Sequence, residues 1–299
     1  MPSYRQARAE KRRAPFLFGA AGGLTGLLVA VVLAVGAAGC EADTAGRDAA
    51  SEKRGPTYTI VFVDPTTGAG SPEIKSAFQD TLRRIADRGL RGQGSQIRAF
   101  ALRRQTEAKT PQVHVKNAIA PPEESQFADR EAMQKAQVQQ RQNALVEKAD
   151  TTLRNFFALT QEKLLSKQGG DKNGYRSDVL GSIRVLREEV GEKWTHQERN
   201  VRVYYLSDMF HAVPEGKYRN FEVRPPESIQ QARQWARKDA KAFRKTLRRA
   251  ERSKEEPVLS GLSIRMIPGE SATRAGAQAV KTYWKRFFSA LGAKEITYN

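Results

Sequence analysis

Tyr58-Thr-Ile-Val-Phe-Val-Asp64 is a β-branched, nearly unbroken apolar run that ends on a carboxylate. A strand with one wet face alternates apolar and polar residues. A strand apolar at successive positions needs cover on both faces, which is the situation of a central strand in a parallel sheet with helices above and below it. Residues 201–206 and 262–267 are read as a second and a third buried strand, and the segments between the three runs carry helical periodicity. Strands alternating with helices predict an α/β fold, a doubly wound and mostly parallel sheet, with ligands received beyond the carboxyl ends of the strands.

The connecting segments fill in this frame. Residues 72–89 place Ile74, Phe78, Leu82 and Ile85 on one helical face, with Pro72 at the start and Gly89 at the end. Residues 96–102 and 112–115 read as two strands joined by too short a link for a crossover helix, so the second is expected to run antiparallel at the sheet edge. Residues 127–167 form a long helical stretch whose apolar residues, Leu145, Leu153, Phe156, Phe157 and Leu164, lie in its later half; the early half is expected to project. A turn-rich loop over 168–175 leads to a helix starting near Ser177, with that serine or Asp178 as its cap. Helices over 227–254 and 272–291 follow, and 295–298 closes the chain as a further strand.

The N-terminal region has a different character. Arg5, Arg8, Lys11, Arg12 and Arg13 precede 24 residues, 16–39, without a charge. A basic cluster followed by such a run is an export signal or a membrane anchor, with the cluster staying inside. The run ends in Ala37-Ala38-Gly39-Cys40, which resembles a bacterial lipobox. The resemblance implies cleavage before Cys40 and a lipid on its thiol; an uncleaved transmembrane helix is the alternative. Either way the rest of the chain is expected on the extracytoplasmic side of a cell membrane. Cys40 is the single cysteine, so no intramolecular disulfide or cysteine metal site is available. Residues 1–39 are thus read as signal or anchor, 40–55 as a flexible tether, and 56–299 as one α/β domain with a long helical insert at about 126–168.

The chain carries a formal net charge of +18, and five basic residues less Glu10 before Cys40 account for +4, leaving +14 beyond it. Such a chain is drawn to anionic surfaces: lipid headgroups, wall polymers or nucleic acid. The positive charge is densest at 227–254. There Ile229, Ala232, Ala236, Phe243, Leu247 and Ala250 are read as a buried stripe, leaving Arg237, Lys241, Arg244, Lys245, Arg248 and Arg249 as an anion-binding face.

Two of the central strands end in Asp64 and Asp208, and the Ser177 turn falls between them in sequence. If the sheet winds as predicted, all three meet where the strand order reverses. The succession of strand, Asp64-Pro-Thr66-Thr-Gly68, helix, strand, edge strand, helix, Ser177-Asp178-Val179-Leu180, strand and Ser207-Asp208 resembles a von Willebrand factor type A domain over about 56–299. The resemblance implies a site for a divalent cation, Mg²⁺ or Mn²⁺, held by Asp64, Thr66, Ser177 and Asp208, with an open position for a carboxylate of a protein partner. Gly68 stands where that family carries a second serine and supplies no side-chain oxygen.

Two other readings use the same residues. An apolar strand ending in Asp64-Pro-Thr-Thr-Gly and a later one ending in Ser207 also resemble haloacid-dehalogenase phosphatases, but their later acidic pair is represented here by Glu270 alone. His114, His196 and His211 are the only histidines, and none stands at a metal-ligand spacing from another. The chain is therefore expected to bind a macromolecule in the cell envelope rather than to be an enzyme. Nucleic-acid or anionic-polymer binding through the basic helix is the alternative.

Overall fold

β1, Thr57–Val63, is buried at every position, as its unbroken apolar sequence requires. It lies at the centre of a six-stranded sheet in the computed structural model, which describes residues 55–65, 72–102, 112–123, 127–166, 177–194, 200–210, 219–221, 223–251, 258–268 and 276–298. The remaining elements, in chain order, are α1 Pro72–Gly89, β2 Gln96–Ala101, β3 Val113–Lys116, α2 Ala128–Ser166, α3 Val179–Trp194, β4 Asn200–Leu206, α4 Ile229–Glu251, β5 Ser263–Ile267, α5 Ala277–Ala290 and β6 Glu295–Tyr298.

The strand order is β3-β2-β1-β4-β5-β6. Every neighbouring pair is parallel except β2 with β3, which are antiparallel. The doubly wound sheet with one antiparallel edge strand is the architecture the sequence predicts. β1 pairs with β2 on one side and β4 on the other, with Val63 level with Ala101 and Leu206. The chain leaves β1 toward one edge and returns at β4 toward the other, so the reversal point lies between the ends of β1 and β4.

Because side chains alternate across a strand, each central strand serves two cores. Ile60, Phe62, Val203, Tyr205, Ile264 and Met266 face α3, α4 and α5. Val61, Val63, Tyr204 and Leu206 face α1 and α2. On the first face Phe100, Phe62, Tyr205 and Phe288 form a continuous stack, with successive ring centroids 5.5, 5.1 and 5.6 Å apart. Each such pair contributes about 0.5–1.5 kcal/mol beyond its buried area, so this row ties β2, β1, β4 and α5 together. On the second face α1 closes tightly on the sheet: a Cβ at Gly89 would lie 2.9 Å from Thr59 Oγ1.

α2 has 39 residues and a length of roughly 60 Å. No residue over 128–141 is buried; Phe127 and Met133 are exposed, and the buried positions begin at Ala149. The Gln142 side-chain amide joins this helix to the loop after α1, donating to the Leu90 carbonyl at 2.9 Å. The early half thus stands off the core, in line with its lack of apolar periodicity.

On α4 the structure corrects the sequence reading. Ala232, Ala236, Ala240, Phe243 and Leu247 are buried, but Ile229 is 43% exposed. It sits in the first turn of the helix, ahead of the core, so its periodic position meets no partner. Among the described residues no helix is long and apolar enough to cross a membrane. The signal or anchor segment, Cys40 and the tether up to residue 54 lie outside the described residues.

Candidate functional site

Hydrogen bonds at the strand ends fix the rim of the sheet before any side chain contributes. The Asp64 amide donates to the Leu206 carbonyl at 2.9 Å, the Leu102 amide to the Val63 carbonyl at 2.7 Å, and the Ser207 amide to the Ile267 carbonyl at 3.2 Å. Asp64 and Ser207 are therefore held side by side at the reversal point. Both are fully buried.

Ser177 arrives from the other direction, immediately before α3. Its hydroxyl donates to Asp64 Oδ2 at 2.5 Å. The Ser207 hydroxyl donates to the same oxygen at 2.9 Å and in turn accepts the Met209 amide at 2.9 Å. A buried carboxylate is costly unless it is hydrogen-bonded, and these two hydroxyls supply that stabilisation. The helix cap is Asp178: its Oδ1 accepts the Gly181 amide at 2.8 Å, leaving Ser177 for Asp64. A Cβ at Gly181 would lie 2.2 Å from Asp178 Oδ2, so this glycine makes room for the capping carboxylate.

Asp208 follows at the same rim but turns aside. Its Oδ1 accepts the Phe210 amide at 2.9 Å, a local turn in which the side chain bonds the backbone two residues on. Between them Met209 has φ of 63°, a left-handed conformation that is uncommon for a residue other than glycine. Its carbonyl accepts the Trp284 indole N–H at 2.7 Å, and its side chain is buried. The core of α5 thus holds the turn in its strained shape. Tyr298 on β6 feels this turn electrostatically: burial first, and then the Asp208 charge, push its phenol up to about 12.

Of the residues predicted to form the strand-end site, the structure joins Asp64 and Ser177 directly and places Asp208 at the neighbouring strand end. Thr66, with Thr67, Gly68 and Ser71, lies outside the described residues. Ser207 was read as a strand end but not as a partner of Asp64. The available signal was a hydroxyl residue in the first position after a buried strand, which β4 shares with no other strand. Among the described residues no group of three or more His, Cys, Asp or Glu side chains could hold a metal ion. The oxygen donors present are the two carboxylates and the Ser177 and Ser207 hydroxyls. Oxygen-only donors are what a hard cation takes.

The basic face of α4 is the second candidate. Arg237, Lys241, Arg244 and Lys245 are exposed. Arg244 also has a structural partner, since its guanidinium donates to the Ala290 carbonyl at the end of α5. Arg248 and Arg249 belong to the same helix, but their side chains lie outside the described residues. Asp239, on another side of α4, accepts Arg219 Nε at 2.8 Å and the Tyr283 hydroxyl at 3.1 Å.

Against known proteins, no family model matches the chain and no curated protein matches it. Among solved structures, one crystal form of proximal thread matrix protein 1 from the mussel byssus is similar over 82% of this chain and 44% of its own, with a TM-score of 0.31 and 12% identity. A second structure of that protein gives a TM-score of 0.28 and 10% identity over 82% of this chain and 43% of its own. The chain thus spans less than half the length of the protein it matches.

Proposed function

We propose that this chain is an envelope protein, held at a membrane by its N-terminal segment and a lipid on Cys40, whose von Willebrand factor A-like domain binds a protein partner through the strand-end rim. The rim comprises Asp64, Thr66, Ser177 and Asp208, with Ser207 added by the structure. The observation that carries this reading is the convergence of Ser177 and Ser207 on one oxygen of Asp64 at the reversal point of the sheet. Three separated segments meet there, at the place where open α/β sheets receive ligands.

In the metal-dependent form of the proposal the cation is Mg²⁺ or Mn²⁺. Asp64 orients the two hydroxyls by accepting their hydrogen bonds, and each hydroxyl oxygen keeps acceptor capacity for the ion. Asp208, half-buried at the rim, supplies negative charge. The cation would add one chemical property, a Lewis-acidic position that takes a carboxylate from the partner. The phosphatases that share this strand end carry a later acidic pair, which Glu270 alone represents here, and on that ground we prefer binding to the phosphatase alternative.

Calorimetry of the detergent-solubilised full chain with Mn²⁺ and with Mg²⁺ tests the metal-dependent form. Saturable heat that disappears in Asp208→Ala and Ser177→Ala is the expected result. Negligible heat with the parent chain would leave a metal-independent binding face, and failure to capture any envelope protein by crosslinking at this rim would end the partner reading.

A further inference from the structure

α4 connects β4 to the parallel strand β5, so it lies along the sheet with one side packed and the opposite side turned outward. Its buried positions, Ala232, Ala236, Ala240, Phe243 and Leu247, occupy one side of the helical wheel. Arg233, Arg237, Lys241 and Lys245 follow at four-residue spacing and drift across the remaining surface at about 40° per step, joined there by Lys238. All five are exposed, and none forms an ion pair with a described residue. Asp239, the acidic residue in the midst of this segment, is engaged by Arg219 and Tyr283 and lies toward the packed side. The face therefore presents cationic charge that the fold does not neutralise.

We propose that this face docks on an anionic phospholipid surface. Charge complementarity alone would also suit nucleic acid, but two observations favour lipid. Val223, at the entrance to α4, is 80% exposed, next to the exposed Arg224. Exposed apolar side chains beside a basic helix gain from contact with the headgroup and acyl boundary and gain nothing from a phosphate backbone. Of the aromatic residues near this entrance, Phe221 is buried and Trp235 is covered by the Arg219 guanidinium, 3.9 Å from its ring centroid, so neither is offered for base stacking. The inference takes from the proposed function only the placement of the chain at a membrane. It is independent of the strand-end rim.

The test is amine-reactive labelling of the full chain, read by mass spectrometry, on vesicles of phosphatidylcholine alone and on vesicles that also contain phosphatidylglycerol. Labelling of Lys238, Lys241 and Lys245 is expected to fall roughly fivefold on the anionic vesicles, while the exposed Lys75 on α1 and Lys116 on β3 stay unchanged. High salt should reverse the protection, because surface attraction is screened within about a Debye length. The Arg237→Glu/Lys241→Glu double variant should lose protection at Lys238 and Lys245, and Asp64→Ala should keep it even if the strand-end reading fails. Equal labelling on the two vesicle types would overturn the proposal. So would protection by a duplex oligonucleotide but not by anionic vesicles, which would assign the face to nucleic acid.

Discussion

Asp64 accepts both serine hydroxyls on one oxygen, so the two donors are not equivalent in what their removal leaves behind. Ser177→Ala removes one hydrogen bond to a charged group, a loss of about 1.5–3 kcal/mol. Ser207→Ala removes a similar bond and also strands the buried Met209 amide, so it is expected to be the more destabilising of the two. Urea denaturation of both variants checks the order, and the double variant should cost more than the sum, because each hydroxyl partly compensates for loss of the other at their shared buried acceptor. That Asp64 and Ser177 approach each other was legible because each follows or precedes a strongly patterned element. The pairing of Ser207 with Asp64 was not legible, because adjacent Ser207 and Asp208 at a strand end are chemically interchangeable as inward groups until the register of β4 is known. With Leu206 facing the α1 and α2 core, the pleat and the turn at Met209 send Ser207 inward and leave Asp208 at the rim.

At the level of elements, the α3 start separates capping from site chemistry. Asp178→Ala should lower stability by about 0.5–2 kcal/mol without touching Asp64, and Gly181→Ala should cost a similar amount by displacing the same carboxylate. If either variant weakened ligand binding at the rim while leaving thermal stability unchanged, Asp178 would belong to the site instead. α2 divides in the same manner. Amides over 128–141 should exchange orders of magnitude faster than those over 149–160, where Ala149, Leu153 and Phe157 are buried, as native-state hydrogen exchange can show. Both halves read as helix from sequence, and the difference in packing was visible as the presence or absence of apolar spacing. The pattern failed at Ile229 for the converse reason. Periodicity marks which way a residue points, but it does not say where along the helix the neighbouring α5 begins.

For the whole molecule, the doubly wound sheet was legible because β1 is apolar on both faces and because strands alternate with helical segments along the chain. Three aromatic hydroxyls in this core set its response to alkali. Burial raises Tyr58 and Tyr205 well above the ordinary phenol range, and burial with the Asp208 charge raises Tyr298 to about 12. In each case the folded state binds its proton more tightly than the unfolded one, so this contribution is complete below the unfolded value near 10 and declines as pH rises above it. Unfolding midpoints should therefore fall steadily above about pH 10, and Tyr298→Phe should flatten the first part of that fall. An unchanged slope in that variant would remove the link between β6 and the Asp208 turn. The placement of α4 bears on how a partner is met. Because that helix runs along the parallel strands, seating its outer face on a bilayer lays the strands in the plane of the lipid and aims the Asp64 rim sideways. Encounter would then be a two-dimensional search among neighbours diffusing in the same leaflet, and partners of matching height would be favoured over those arriving from bulk solution.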